Sequence, residues 1–152
     1  MNPLSSRIKD MKLAPMREVS KTLQIRWYRC PVDKKILRDL MMPSDARGLF
    51  MSLGHLSLWF ATGVVTFYLF SQQMWVGCLV ALFFHGTVGS FFTAPHHELC
   101  HRTVFKTKWL NESFLRIFSL LGWNNFEIYQ FSHNYHHRFT LHPEGDREEI
   151  MP

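Results

Sequence analysis

Hydrophobic and polar positions fall in blocks along this chain, with one long apolar block in the middle. From Gly48 to His97 there is no Asp, Glu, Lys or Arg. The block divides at Gln72 and Gln73. Leu49 to Ser71 supplies about the twenty apolar residues that a bilayer core requires, and Met74 to Ala94 supplies a second span. So short a connection predicts an antiparallel helical hairpin. Gly86 and Ser90, four positions apart, are small residues suited to close helix packing.

Shorter elements flank the block. The first thirty residues mix charged and apolar positions without a firm period and read as a mobile arm. The run PVDKKILRDLMM predicts a helix opened by Pro31, with Asp33 near its positive end and Ile36, Leu37, Leu40 and Met41 on one side. Pro43, Ser44 and Asp45 stop it, and Ser44 or Asp45 can cap the next helix. Beyond the block, Asn111 to Trp123 reads as a helix with Asn111 as its cap and Gly122 at its end. Its broad apolar face and its terminal Trp109 and Trp123 predict a place in the interface plane; a buried helix in a cytoplasmic cap is the alternative.

Charge orients this arrangement. Residues 1–47 carry eleven Lys and Arg against five acidic residues, and residues 98–152 carry six against seven. The net basic balance thus comes from the N-terminal arm, which argues against a nucleic-acid-binding stripe. A basic arm directly before an apolar span places the N-terminus in the cytoplasm, and the hairpin returns residues 95 onward to the same side. Cys30, Cys78 and Cys100 form no CxxC pair and no disulfide framework, and no cleavable signal is visible. The expected fold is all-α: a multi-pass membrane protein with one transmembrane hairpin, an interfacial amphipathic helix and cytoplasmic histidine-bearing helices. Its expected parts are an arm and short helix (1–47), the hairpin (48–94) and a cytoplasmic region (95–152).

The candidate chemistry lies directly after the second span. HELCH places His97 and His101 four residues apart, and HNYHH places His133, His136 and His137 at i, i+3 and i+4. Both spacings put imidazoles on one helical face, and imidazole is the commonest nitrogen ligand for iron, zinc and copper. The first cluster is in full HHELCH, so His96 stands open as third ligand, neighbour of a ligand or bystander. His85 lies on the second span roughly 16 Å before His96 along a helix, too far to share a metal. It and His55 read as hydrogen-bonded packing residues, with a place on a substrate path as the alternative for His85. HELCH also satisfies HExxH, the zinc-protease helix in which the glutamate is general base. Against that reading stand Pro95, two residues before His97 where regular helix is needed, and the polar Arg102 and Thr103 after His101. A protease would also need one further ligand, and HNYHH offers three.

These residues resemble the membrane fatty acid desaturase family, in the desaturase–hydroxylase superfamily of non-haem di-iron enzymes. There an HxxxH or HxxxxH box follows the second span and an HxxHH box comes later. His97 and His101 match the first box, and His133, His136 and His137 match the second. HELCHRTVFKTKWLN looks like the family's continuation from the first box, and the resemblance covers residues 31–152. It implies a di-iron centre bound mostly by neutral imidazole, which activates O2 and removes hydrogens from a methylene pair of an acyl chain. No catalytic group beyond the metal ligands is implied. It also implies a lipid or acyl substrate at the bilayer, a separate electron donor of the ferredoxin or cytochrome b5 type, and no nucleic acid.

The family's third box, HxxHH or QxxHH after a second pair of spans, is absent before Pro152. The expectation is therefore an N-terminal portion of a desaturase with an incomplete di-iron site, whose activity alone is open. A related lipid hydroxylase or ketolase uses the same histidines. A membrane zinc peptidase through HELCH and a non-catalytic membrane partner are the other readings. HPEG at His142 is similar to the HPGG haem motif of cytochrome b5, but it departs at one residue and no haem-domain length surrounds it.

Overall fold

The computed structural model of the protein describes residues 14–142, 144–146 and 148. Among these every regular element is a helix: α1 (Met16–Thr22), α2 (Lys34–Leu40), α3 (Asp45–Ser71), α4 (Trp75–Ser90), α5 (Thr93–Cys100), α6 (Lys108–Leu121) and α7 (Phe126–Phe139). The chain divides into two compact units. One is Val32–Phe126; the other joins Met1–Pro31 to Glu127–Pro152.

In the first unit α3 and α4 form the hairpin. Asp45–Ser71 and the stretch Trp75–Cys100 are both long and apolar enough to cross a membrane. Their side chains point outward: Phe50, Phe67, Val76 and Phe83 are each more than two-thirds exposed. So large an exposed apolar surface suits an apolar surrounding such as a membrane, because water would penalise all of it. The turn between the helices is a Schellman closure, with Met74 N–H bonding Leu69 O and Gln73 N–H bonding Phe70 O, both at 3.0 Å. Gln73 takes the left-handed conformation at φ 57° that glycine usually supplies there.

Polar and small residues hold the two helices together. His85 Nδ1 lies 3.0 Å from Thr62 Oγ1, and its ring stacks on Trp59 at 5.2 Å. His55 Nε2 lies 3.0 Å from the Val88 carbonyl oxygen. Both are the packing histidines that the sequence suggests. The close-approach glycines differ from expectation. A Cβ on Gly63 would lie 3.1 Å from the His85 ring and one on Gly89 3.2 Å from Trp59 Nε1, whereas Gly86 faces open space. The aromatic bulk on the opposite helix decides which glycine matters, and Gly86 is on the wrong face.

Helix α2 starts three residues later than Pro31. Asp33 accepts from the Lys35 and Ile36 N–H groups at 2.7 and 3.2 Å, so it is the N-cap and the helix begins after it. Ser44 caps α3 in the same way, from Arg47 N–H. Helix α6 starts before its expected cap: Thr107 is the capping position, and Asn111 lies inside the helix, buried. Phe114, Leu115 and Phe118 turn inward, while Trp109, Leu120 and Trp123 are exposed.

In the second unit residues 1–13 of the expected arm lie outside the described residues. The rest of it is not wholly irregular, because Met16–Thr22 is helical with Val19 buried. Trp27 donates from Nε1 to the Arg138 carbonyl at 3.3 Å, near the end of α7. Glu127 in the first turn of α7 and Arg138 in its last complement the helix dipole.

Candidate metal centre

The first histidine pair is set by a short helix and its stop. Pro95 is the third residue of α5, where the N–H has no helical partner to lose, so the helix runs through it to Cys100. The expectation that Pro95 keeps His97 out of regular helix is thus overturned, and Pro95 no longer counts against a protease helix. Leu99, Cys100 and His96 are buried, which leaves His97 and His101 on the more open side. Their Nε2 atoms lie 3.3 Å apart. His96 is 1% exposed and packs inside the unit; burial, and then the neighbouring His97, hold its imidazole below the usual histidine range. Arg102, at φ 58°, ends the helix by returning its N–H to the Leu99 carbonyl at 3.0 Å. The same carbonyl accepts from Asn111 Nδ2 at 2.7 Å. Asn111 therefore ties α6 to the end of α5, a role hidden in the sequence because its pattern there reads as a cap.

The second set lies on α7. His133 and His137 turn their Nε2 atoms to each other at 2.9 Å. His133 is buried and its ring stacks on Tyr129 at 5.0 Å. His136 differs: its Nδ1 lies 3.0 Å from both carboxylate oxygens of Asp146 and 3.3 Å from Glu148. Glu148 also lies 3.2 Å from His133 Nδ1. The sequence pattern does not reveal either acid. They stand ten to fifteen residues beyond their imidazoles, in a loop whose return no spacing rule predicts.

The two nitrogen pairs fit a metal. Imidazole nitrogens bound to one ion at about 2.1 Å would stand about 3.0 Å apart at a right angle and about 3.4 Å at the tetrahedral angle. The separations of 3.3 and 2.9 Å are close to these values, and neutral imidazole suits iron and zinc alike. Beside His101 is a pocket of about 500 Å³. Leu40, Met42, Met51 and Val104 give it an apolar wall, while Arg47 and Glu98 supply charge.

The profile of the fatty acid desaturase family matches residues 73–151, just over half of the chain. Comparisons with curated proteins and with solved structures returned no match. The matched stretch holds the second candidate span, HELCH, α6 and HNYHH in that order, and the chain accordingly belongs to the fatty acid desaturase family.

Proposed function

We propose that the protein takes part in O2-dependent desaturation of an acyl chain at the membrane surface, with iron held by His97, His101, His133, His136 and His137. The observation that carries the reading is the pair of Nε2–Nε2 separations, 3.3 and 2.9 Å, inside the stretch that matches the family. His96, 1% exposed, is assigned to packing beside that pair, its burial favouring this over a place among the ligands.

When bound, the iron supplies the means to reduce O2 and break an unactivated C–H bond. In the overall reaction two hydrogens leave adjacent methylenes as a double bond forms, and O2 ends as two waters. Two of its four electrons come from the substrate and two from a separate donor of the ferredoxin or cytochrome b5 type. The chain's own residues do the rest. His97 and His101 offer lone pairs from a helix directly after an apolar span, so an acyl chain can approach from lipid. The Met-rich wall beside His101 suits a flexible methylene chain, since thioethers adapt to irregular apolar shapes. Arg47 and the basic residues before it favour the cytoplasmic side for the N-terminus and, through the hairpin, for both boxes. Trp109 and Trp123, exposed at the ends of α6, support an interfacial position for that helix.

The test is metal analysis of the purified chain in lipid nanodiscs, joined to acyl-chain profiling of cells that express it aerobically. Iron in the purified protein and new unsaturated chains are the expected result, with both lost in His101→Ala and His137→Ala. Zinc in place of iron, together with an unaltered lipid profile, would overturn the assignment.

A further inference from the structure

Behind the second histidine set, the chain turns back on itself and brings two carboxylates to the far edges of the imidazoles. We propose that Glu148 and Asp146 are positioning residues for HNYHH. They hold the Nδ1 edges of His133 and His136, set the tautomer, and so direct the Nε2 lone pairs toward the metal. This inference rests on the reading that HNYHH binds iron.

The two edges of the His133 ring face different partners. Its Nδ1 lies 3.2 and 3.3 Å from the two Glu148 oxygens, while its Nε2 lies 2.9 Å from His137 Nε2. An ionised carboxylate can only accept, so the imidazole proton belongs on Nδ1. A neutral ring then carries its lone pair on Nε2, on the side of His137. A carboxylate behind a ligating imidazole also raises its basicity and fixes the ring plane. Stacking on Tyr129 restrains the same ring from its face.

Asp146 organises the loop that makes this possible. It is 5% exposed, and a carboxylate so buried needs several donors around it. It receives His136 Nδ1 at 3.0 Å, Leu141 N–H at 3.4 Å and Glu148 N–H at 3.2 Å. The last bond sets Glu148 in place, so Asp146 acts on His136 directly and on His133 through its neighbour. The return itself depends on Gly145, where a Cβ would come within 2.5 Å of the Phe139 ring. An ordinary surface ion pair looks different: Arg102 and Glu112 stand 3.8 Å apart, each more than half exposed.

The experiment uses the full chain in nanodiscs with Co2+ as a spectroscopic stand-in and Fe2+ as the second probe. Wild type, Glu148→Gln, Glu148→Asp, Asp146→Asn and the control Glu112→Gln are titrated. Ligand-field absorption, release of metal to a chelator and helical circular dichroism are measured in each. Glu148→Gln and Asp146→Asn should bind Co2+ about 10–100-fold more weakly, with a shifted absorption band and unchanged helicity. Glu148→Asp should recover most of the affinity, and Glu112→Gln should match wild type. Because Glu148 lies in a partly exposed loop, retained helicity in its variants separates lost positioning from lost folding. Unchanged affinity and spectrum in both Glu148→Gln and Asp146→Asn would sink the inference and leave the iron reading standing. A wild type that takes up neither metal would remove both.

Discussion

Gly48 leaves room for the ring of Phe105: a Cβ at position 48 would lie 2.7 Å from Phe105 Cε1. The contact joins the start of α3 to the segment between HELCH and α6. Two further links reinforce it. Ser44 N–H bonds the Val104 carbonyl at 3.2 Å, and the Asp45 carboxylate accepts from Thr107 N–H and Oγ1 at 2.9 and 2.7 Å. The first span thereby sets where the chain goes after the first histidine pair.

Gly48→Ala should destabilise the protein. Phe105 is 3% exposed and stacked on Phe114 at 5.1 Å, so its ring has little room to yield. Overpacking costs about 1–3 kcal/mol, against about 1 kcal/mol gained from the better helix propensity of alanine. Denaturant unfolding in detergent should show a net loss, and adding Phe105→Leu should recover part of it. A Gly48→Ala protein more stable than wild type would mean that the ring moves aside freely.

Two histidines of the same region should part company in their effects. His85→Ala should retain the metal and weaken the hairpin, since an interhelical hydrogen bond in lipid is worth about 0.6–1.7 kcal/mol. His101→Ala should retain the hairpin and lose the metal. Metal content and helix-pair stability, measured on both variants, check the pair of outcomes; metal loss in His85→Ala would contradict its packing role.

Gly145→Ala should act at a distance from its own position. The new Cβ must push the loop away from Phe139, which withdraws Asp146 and Glu148 from His136 and His133. Metal should leave this variant faster than wild type, with the helical signal intact. Chelator-release kinetics equal to wild type would show that the loop accommodates the methyl group.

Gln73→Gly should stabilise the hairpin turn by about 1 kcal/mol, because it removes a side chain from the left-handed region while keeping the Schellman bonds. Unfolding of wild type and variant in the same lipid gives the comparison. A loss of stability instead would locate a favourable contact of the Gln73 side chain.

Gln73 also illustrates why parts of the fold are illegible in the sequence. Helix ends are read from glycine, yet Gln73, Arg102, Trp123 and Leu141 occupy the left-handed positions after α3, α5, α6 and α7. Gly122 does end α6 as expected, as its C-cap, but the left-handed residue is the next one, Trp123. The spans are legible because about fifty consecutive residues without charge leave a helical hairpin few alternatives. The pairing of His97 with His101 and of His133 with His137 is legible because i, i+4 spacing fixes neighbours on any helix. Asp146, Glu148 and Asn111 are not, since their contacts depend on a loop return or on which face of α6 is buried. Tertiary packing decides both.

Phe92, 3% exposed, touches His55 and Trp59 of α3 and Phe118 of α6, and its carbonyl receives the His96 N–H at 3.3 Å. One ring therefore couples a helix long and apolar enough to cross a membrane to the helix that carries His97. Helices answer a change in bilayer thickness by tilting. A hairpin tilted by longer or shorter lipid tails would turn the first histidine pair with it, so the tail length of the surrounding membrane becomes part of the geometry of the site.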